Sequence, residues 1–82
     1  MYTATLTSFG KKYSATGDTV IDAVSGIEVK GVVRGKGILS VARGESVKER
    51  ILTPFLTARL FSKSPTIREV ALKNTAILFD GV

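Results

Sequence analysis

The side chains able to do chemistry in this chain are lysines, arginines, carboxylates and hydroxyls, because it contains no cysteine and no histidine. That composition removes disulfides, zinc ribbons, thiol nucleophiles and imidazole acid–base catalysis. Serine and threonine are plentiful, but no histidine stands ready to activate them. The seven carboxylates, Asp18, Asp22, Glu28, Glu45, Glu49, Glu69 and Asp80, are scattered, and none forms a paired-carboxylate motif. Asp18 and Asp22 fit the first turn of a helix, where an acidic side chain complements the N-terminal end of the dipole. The expectation is a non-enzymatic protein with no catalytic residue, no bound metal and no cofactor.

The cations are placed with more pattern. Lys11, Lys12, Arg34, Lys36 and Arg43 all lie at or beside the glycines Gly10, Gly35, Gly37 and Gly44. Turn positions expose side chains and let backbone N–H groups approach a phosphate. Twelve basic against seven acidic residues leave a net charge of +5. An excess of that sign attracts nucleic acid or acidic protein surfaces. A nucleic-acid surface would need these five cations on one side, with an aromatic ring to stack on bases. Tyr2 and Tyr13 are the candidate rings, and their spacing suits packing within a sheet instead. Gly35-Lys36-Gly37 is not a Walker loop, since an apolar run follows it where Ser or Thr opening a helix is required.

The elements that would position these groups begin with a strand, Tyr2 to Phe9. Tyr2, Ala4, Leu6 and Ser8 alternate with Thr3, Thr5, Thr7 and Phe9, the period of two of a half-buried strand. Gly10 suits a hairpin turn, and Lys12 to Thr16 resumes the alternation until Gly17. Thr19 or Asp18 caps a helix in which Val20, Ala23, Val24 and Ile27 share one face. Further strands are expected over Glu28 to Val33 and Ile38 to Ala42. Residues 46 to 53 alternate with charges on both faces, which suits a sheet edge; a mobile arm over 44 to 56 is the alternative. Pro54 interrupts the ladder, and Phe55 to Phe61 again alternates as a strand, with Leu56, Ala58 and Leu60 as its core face.

Ser64-Pro65 opens a last helix, with Thr66 and Glu69 as a competing capping box one turn later. Ile67, Val70, Ala71, Asn74, Ile77 and Leu78 recur at helical spacing, while Leu72, Ala76 and Phe79 widen the apolar surface beyond one stripe. Such a helix buries one face in its own core and offers the other to a partner. Thr66 to Ala71 looks like the first helix of lactose-repressor-type helix-turn-helix domains, but the glycine turn and recognition helix do not follow. The fold class is therefore α+β, a small mostly antiparallel sheet of four to six strands with two helices, in a single domain over 1–82.

The hairpin-then-helix start, over residues 2 to 43, resembles the β-grasp arrangement, from which the terminal helix departs. The chain as a whole resembles short proteins encoded by bacteriophages, which implies an assembly component or a small binder of host proteins. Eighty-two residues with 44% hydrophobic content and a mean hydropathy of +0.22 favour self-association or a partner surface. The expected function is a small basic protein-interaction or structural module. Its contact residues would be Leu60, Phe61, Leu72, Ala76 and Phe79, and its partner a protein or a second copy. A nucleic-acid accessory role through Lys11, Lys12, Arg34, Lys36 and Arg43 is the alternative. Met1 leads straight into a threonine-rich strand, which is no signal peptide, and no apolar run approaches a membrane span of about 20 residues. An intracellular or virion location is expected.

Overall fold

The computed structural model describes residues 1–29 and 35–82. Four strands, β1 (Tyr2–Ser8), β2 (Lys11–Gly17), β3 (Gly37–Arg43) and β4 (Ser46–Leu52), form one antiparallel sheet in the order β2-β1-β3-β4. Among the described residues three helices accompany it, α1 (Val20–Ser25), α2 (Pro54–Leu60) and α3 (Pro65–Ile77). The architecture is a small α+β fold, with helix α1 packed on β1 and β2, α2 beside β4, and α3 across α1 and α2.

Alternation in β1 decides which face of the sheet is covered. Ala4, Leu6 and Ser8 are buried, while the intervening threonines turn to the opposite face. Register carries this choice across the sheet, since Ala4 pairs with Ala15 and Val41, and Leu6 with Tyr13 and Leu39. Ala4, Leu6, Leu39 and Val41 are wholly buried. Onto them pack Ala23, Val24 and Ile27 from α1 and its exit, Leu52 from β4, Leu60 from α2, and Ala71, Leu72 and Phe79 from α3 and its C-terminal turn.

Local signals account for the helix starts. Thr19 caps α1, its Oγ1 accepting from the Asp22 backbone N–H at 3.0 Å. Gly17 joins β2 to α1 at so close an approach that a Cβ there would lie 2.6 Å from the Ala23 nitrogen. Thr53 caps α2 by accepting from the Leu56 N–H at 3.2 Å, with Pro54 at the first helical position. Ser64 and Pro65 open α3 where the sequence places its start, although the Ser64 side chain makes no capping bond.

Two expectations are corrected. Residues 55 to 61 are not a strand. They form α2, because Thr53-Pro54 is a cap followed by a proline that needs no N–H, the same chemistry that opens α3. Leu56, Thr57 and Leu60 then make an inward helical face, and the Thr57 hydroxyl donates to the Thr53 carbonyl at 2.9 Å. Glu28 and Val29 lie outside any strand, and the remainder of that expected strand, with Arg34, falls outside the described residues. Residues 46 to 52 are a paired strand, not a mobile arm, and β4 is an edge as its mixed charges suggest.

The β1–β2 turn is strained in one place. Phe9 and Gly10 both have positive φ, 49° and 75°, the signature of a two-residue primed turn. Glycine adopts that conformation freely, whereas an ordinary L-residue pays about 1–2 kcal/mol for it. Asparagine tolerates it better. Phe9→Asn is accordingly expected to stabilise the fold by about 1 kcal/mol, read as a raised denaturant midpoint. An unchanged or lowered midpoint would mean that the packing of the Phe9 ring against Gly35 outweighs the backbone strain.

Candidate interaction surface

Helix α3 carries two apolar faces, and packing chooses between them. Ala71, Leu72 and Thr75 are buried, and Phe79 beyond the helix end is 1% exposed. Ile67, Val70, Asn74 and Ile77, spaced three, four and three residues apart, share the other face. Val70 is 53% and Ile77 71% exposed. The division is the reverse of the one expected. Leu60, Leu72 and Phe79 are interior, and Phe61 and Ala76 are half-buried, so this set is not a solvent-facing patch. The reversal follows from α2. A helix at 54–60 presents Leu60 inward and packs on α3, so the Leu72 face closes over the core while the Ile67 face is left outside.

Beside that outer stripe lies a groove of about 340 Å³, walled by Phe55, Leu56 and Arg59 of α2 and by Ile67, Val70 and Asn74 of α3. Phe55 is 66% exposed. The Arg59 guanidinium stacks over its ring at 4.2 Å from the centroid, a cation–π contact that holds the cation at the groove's wall. The groove thus offers apolar contact area together with one placed positive charge. It contains no carboxylate.

Phe61 takes part in a second depression, between the end of α1 and the start of α3, with Leu72 in its lining. Arg68 crosses it and donates to the Ser25 carbonyl at 2.6 Å. This bond ties α3 to the C-terminal end of α1, where free carbonyls favour a cation.

The basic turn residues are divided between the two ends of the sheet. Lys11 and Lys12 follow the β1–β2 turn, and Lys36 precedes Gly37, which pairs with Leu52 at the same end. Arg43 pairs with Ser46 at the far end. There its guanidinium donates to the Tyr2 hydroxyl at 3.1 Å and lies 5.4 Å from the ring centroid. Tyr2 in turn donates to the Val82 carbonyl at 3.3 Å. Arg43 and Tyr2 therefore fasten the ends of the chain together. Arg34 lies outside the described residues. Tyr13 is half-buried on the helix-covered face. The ring that does stand near the lysines is Phe9, 78% exposed and set against Gly35. Its alternation with the threonines of β1 marks it as outward-facing in the sequence, and the positive φ explains its prominence.

The sheet face opposite the helices is a further surface. Ile38 pairs with Ile51 and Ala42 with Val47 there, and Ile38, Val47 and Ile51 are exposed. The β1 and β2 part of the same face is hydroxyl-bearing, with Thr3 opposite Thr16 and Thr5 opposite Ser14. No family model matches the chain, and neither a curated protein nor a solved structure is similar to it. Among the described residues no helix is long and apolar enough to cross a membrane, and no three metal-ligating side chains come together.

Substitutions on the two faces of α3 are expected to separate cleanly. Leu72→Ala should cost about 2–5 kcal/mol by leaving a cavity, whereas Val70→Ser on the outer stripe should shift stability by no more than about 0.5 kcal/mol. Denaturant unfolding of both variants checks this, and a larger loss at Val70 than at Leu72 would invert the assignment of faces.

Proposed function

We propose that this chain is a non-enzymatic protein-interaction module that receives a partner's apolar side chains in the groove between α2 and α3. The observation that carries the reading is the exposed stripe Ile67, Val70 and Ile77 beside Phe55. Ile67 and Val70 line the concave site together with Phe55, and exposed apolar area of that kind marks contact surfaces more than it aids folding. Arg59 at the wall suits a partner segment with an acidic residue next to its apolar anchors. A structural or assembly role, including a phage-derived one, is the form of interaction that the resemblance implies.

A second reading has one observation in its favour. Phe9, in a strained turn, stands with Lys11, Lys12 and Lys36 at one end of the sheet, an exposed ring among cations as single-stranded nucleic acid would need. Arg43 contributes nothing to that cluster, which leaves it smaller than the five-residue set. The groove is the stronger candidate.

The test uses anilinonaphthalene sulfonate, whose apolar rings and single anionic group match the groove and Arg59. Saturable dye fluorescence is expected for the unaltered protein, with at least a severalfold loss of affinity in the double variant Phe55→Ser, Val70→Ser. The variant Ile38→Ser, on the far face of the sheet, should bind as before. Equal binding by the groove variant would remove the groove from consideration. Retention on single-stranded DNA at low salt, lost in Phe9→Asn, would move the assignment to the second reading.

A further inference from the structure

The two edges of the sheet are built differently. Edge strand β4 carries Lys48, Glu49 and Arg50 in its middle, and Lys48 is engaged with the Asp80 carbonyl at 2.5 Å. Charges in the middle of an edge discourage another strand from pairing with it. Edge strand β2 has none there. Tyr13, Ser14, Ala15 and Thr16 are uncharged, the strand contains no proline, and its pairing with β1 runs residue for residue through all seven positions without a bulge. Its charges stand at the ends and are of opposite sign, Lys11 and Lys12 at the start and Asp18 just past the finish. Among the described residues the ion pair is Lys73 with Glu69, so these three end charges are not paired with one another or with described neighbours.

Hairpin geometry fixes which backbone groups of β2 face away from β1, and none of these bonds to another described residue. In a two-residue hairpin the positions flanking the turn, here Ser8 and Lys11, form a hydrogen-bonded pair, and such pairs then alternate along the ladder. Lys11, Tyr13, Ala15 and Gly17 therefore bond to β1. Lys12, Ser14 and Thr16 point their N–H and C=O groups away from the sheet. We propose that a second copy of this chain pairs with β2 through its own β2, antiparallel about a two-fold axis at Ser14, joining two sheets into one of eight strands.

The register follows from the free groups and the charges together. A two-fold at Ser14 sets Ser14 opposite its own counterpart and Lys12 opposite Thr16 of the second copy. All three outward residues of each strand then bond, giving about six backbone hydrogen bonds. A shift by two residues either way leaves one of the three without a partner. The same register lays Lys11 opposite Gly17 of the second copy, beside its Asp18, so the basic start of each strand meets the acidic finish of the other. Because opposite residues keep the same face, Tyr13 of each copy lies across from Ala15 of the other on the helix-covered side. The half-exposed Tyr13 ring is thereby covered. The groove between α2 and α3 takes no part, and this inference does not depend on it.

Sedimentation equilibrium at submillimolar concentration tests the interface. The unaltered protein is expected to be a dimer. Ser14→Glu and Ser14→Lys should each place like charges at the two-fold and weaken dimerisation at least about tenfold. Mixing these two variants should restore a dimer, because the central pair becomes Glu opposite Lys. Restoration also shows that both variants are folded. Glu49→Lys on the β4 edge and Val70→Ser on α3 should leave the dimer intact. A monomeric unaltered protein would overturn the proposal, as would Ser14 variants that dimerise normally or fail to recover on mixing. Loss of the dimer through Val70→Ser with Ser14→Glu unaffected would also overturn it, placing association at the groove.

Discussion

Leu6 and Leu39 lie opposite one another at the centre of the sheet, next to the pair formed by Ala4 and Val41. All four are wholly buried, and every other layer takes its position from them. A small domain has little interior to spare, and here the alternation of two neighbouring strands decides where that interior lies. Leucine opposite leucine supplies volume, and alanine opposite valine leaves room for a helix to approach. Helix α1 reaches this surface through the tight connection at Gly17, and α3 closes over it with Leu72 and Phe79.

From this constraint comes the division of surfaces. The three helices cover one side of the sheet, so the threonines of β1 and the isoleucine pair Ile38 and Ile51 face outward. Within the helical layer the same logic repeats on a smaller scale. Helix α3 has apolar residues around more than half of its circumference, and only the part that meets α1 and α2 is used in folding. Of the remainder, Ile67 and Val70 form one wall of the groove, across from Phe55 and Arg59. Among the described residues, most of the exposed large apolar side chains are thus grouped by architecture, on α2 and α3 and on the outer half of the sheet.

The first twenty-five residues were legible because each local preference agrees with its neighbours. Alternation, a glycine turn and a threonine cap all point to one hairpin followed by one helix. Strand β3 and the start of α3 were legible for the same reason, whereas the alternation over 46–53 left a mobile arm over 44–56 as an open alternative to strand β4. Residues 54–60 were not, because Phe55 to Phe61 satisfies a period of two and a helical period equally well. The deciding signal was present in Thr53-Pro54, a cap and first-turn proline of the kind recognised at Ser64-Pro65. Proline ends a strand and opens a helix alike, so Pro54 alone does not decide between them. The ambiguity extends to the interaction surface, because without α2 nothing in the spacing of α3 says which of its two apolar faces meets the core or that Leu60, Leu72 and Phe79 lie inside. The basic turns were legible as exposed positions, but their distribution between opposite ends of the sheet depends on strand order, which local sequence does not encode.

Helix α3 turns Ile67, Val70 and Ile77 to solvent and Leu72 to the interior. Methyl NMR with a soluble nitroxide measures this residue by residue. Strong broadening is expected for the Ile67, Val70 and Ile77 methyl signals, and protection for those of Leu72 and Leu60. Protection of the Ile67 stripe together with broadening at Leu72 would contradict it.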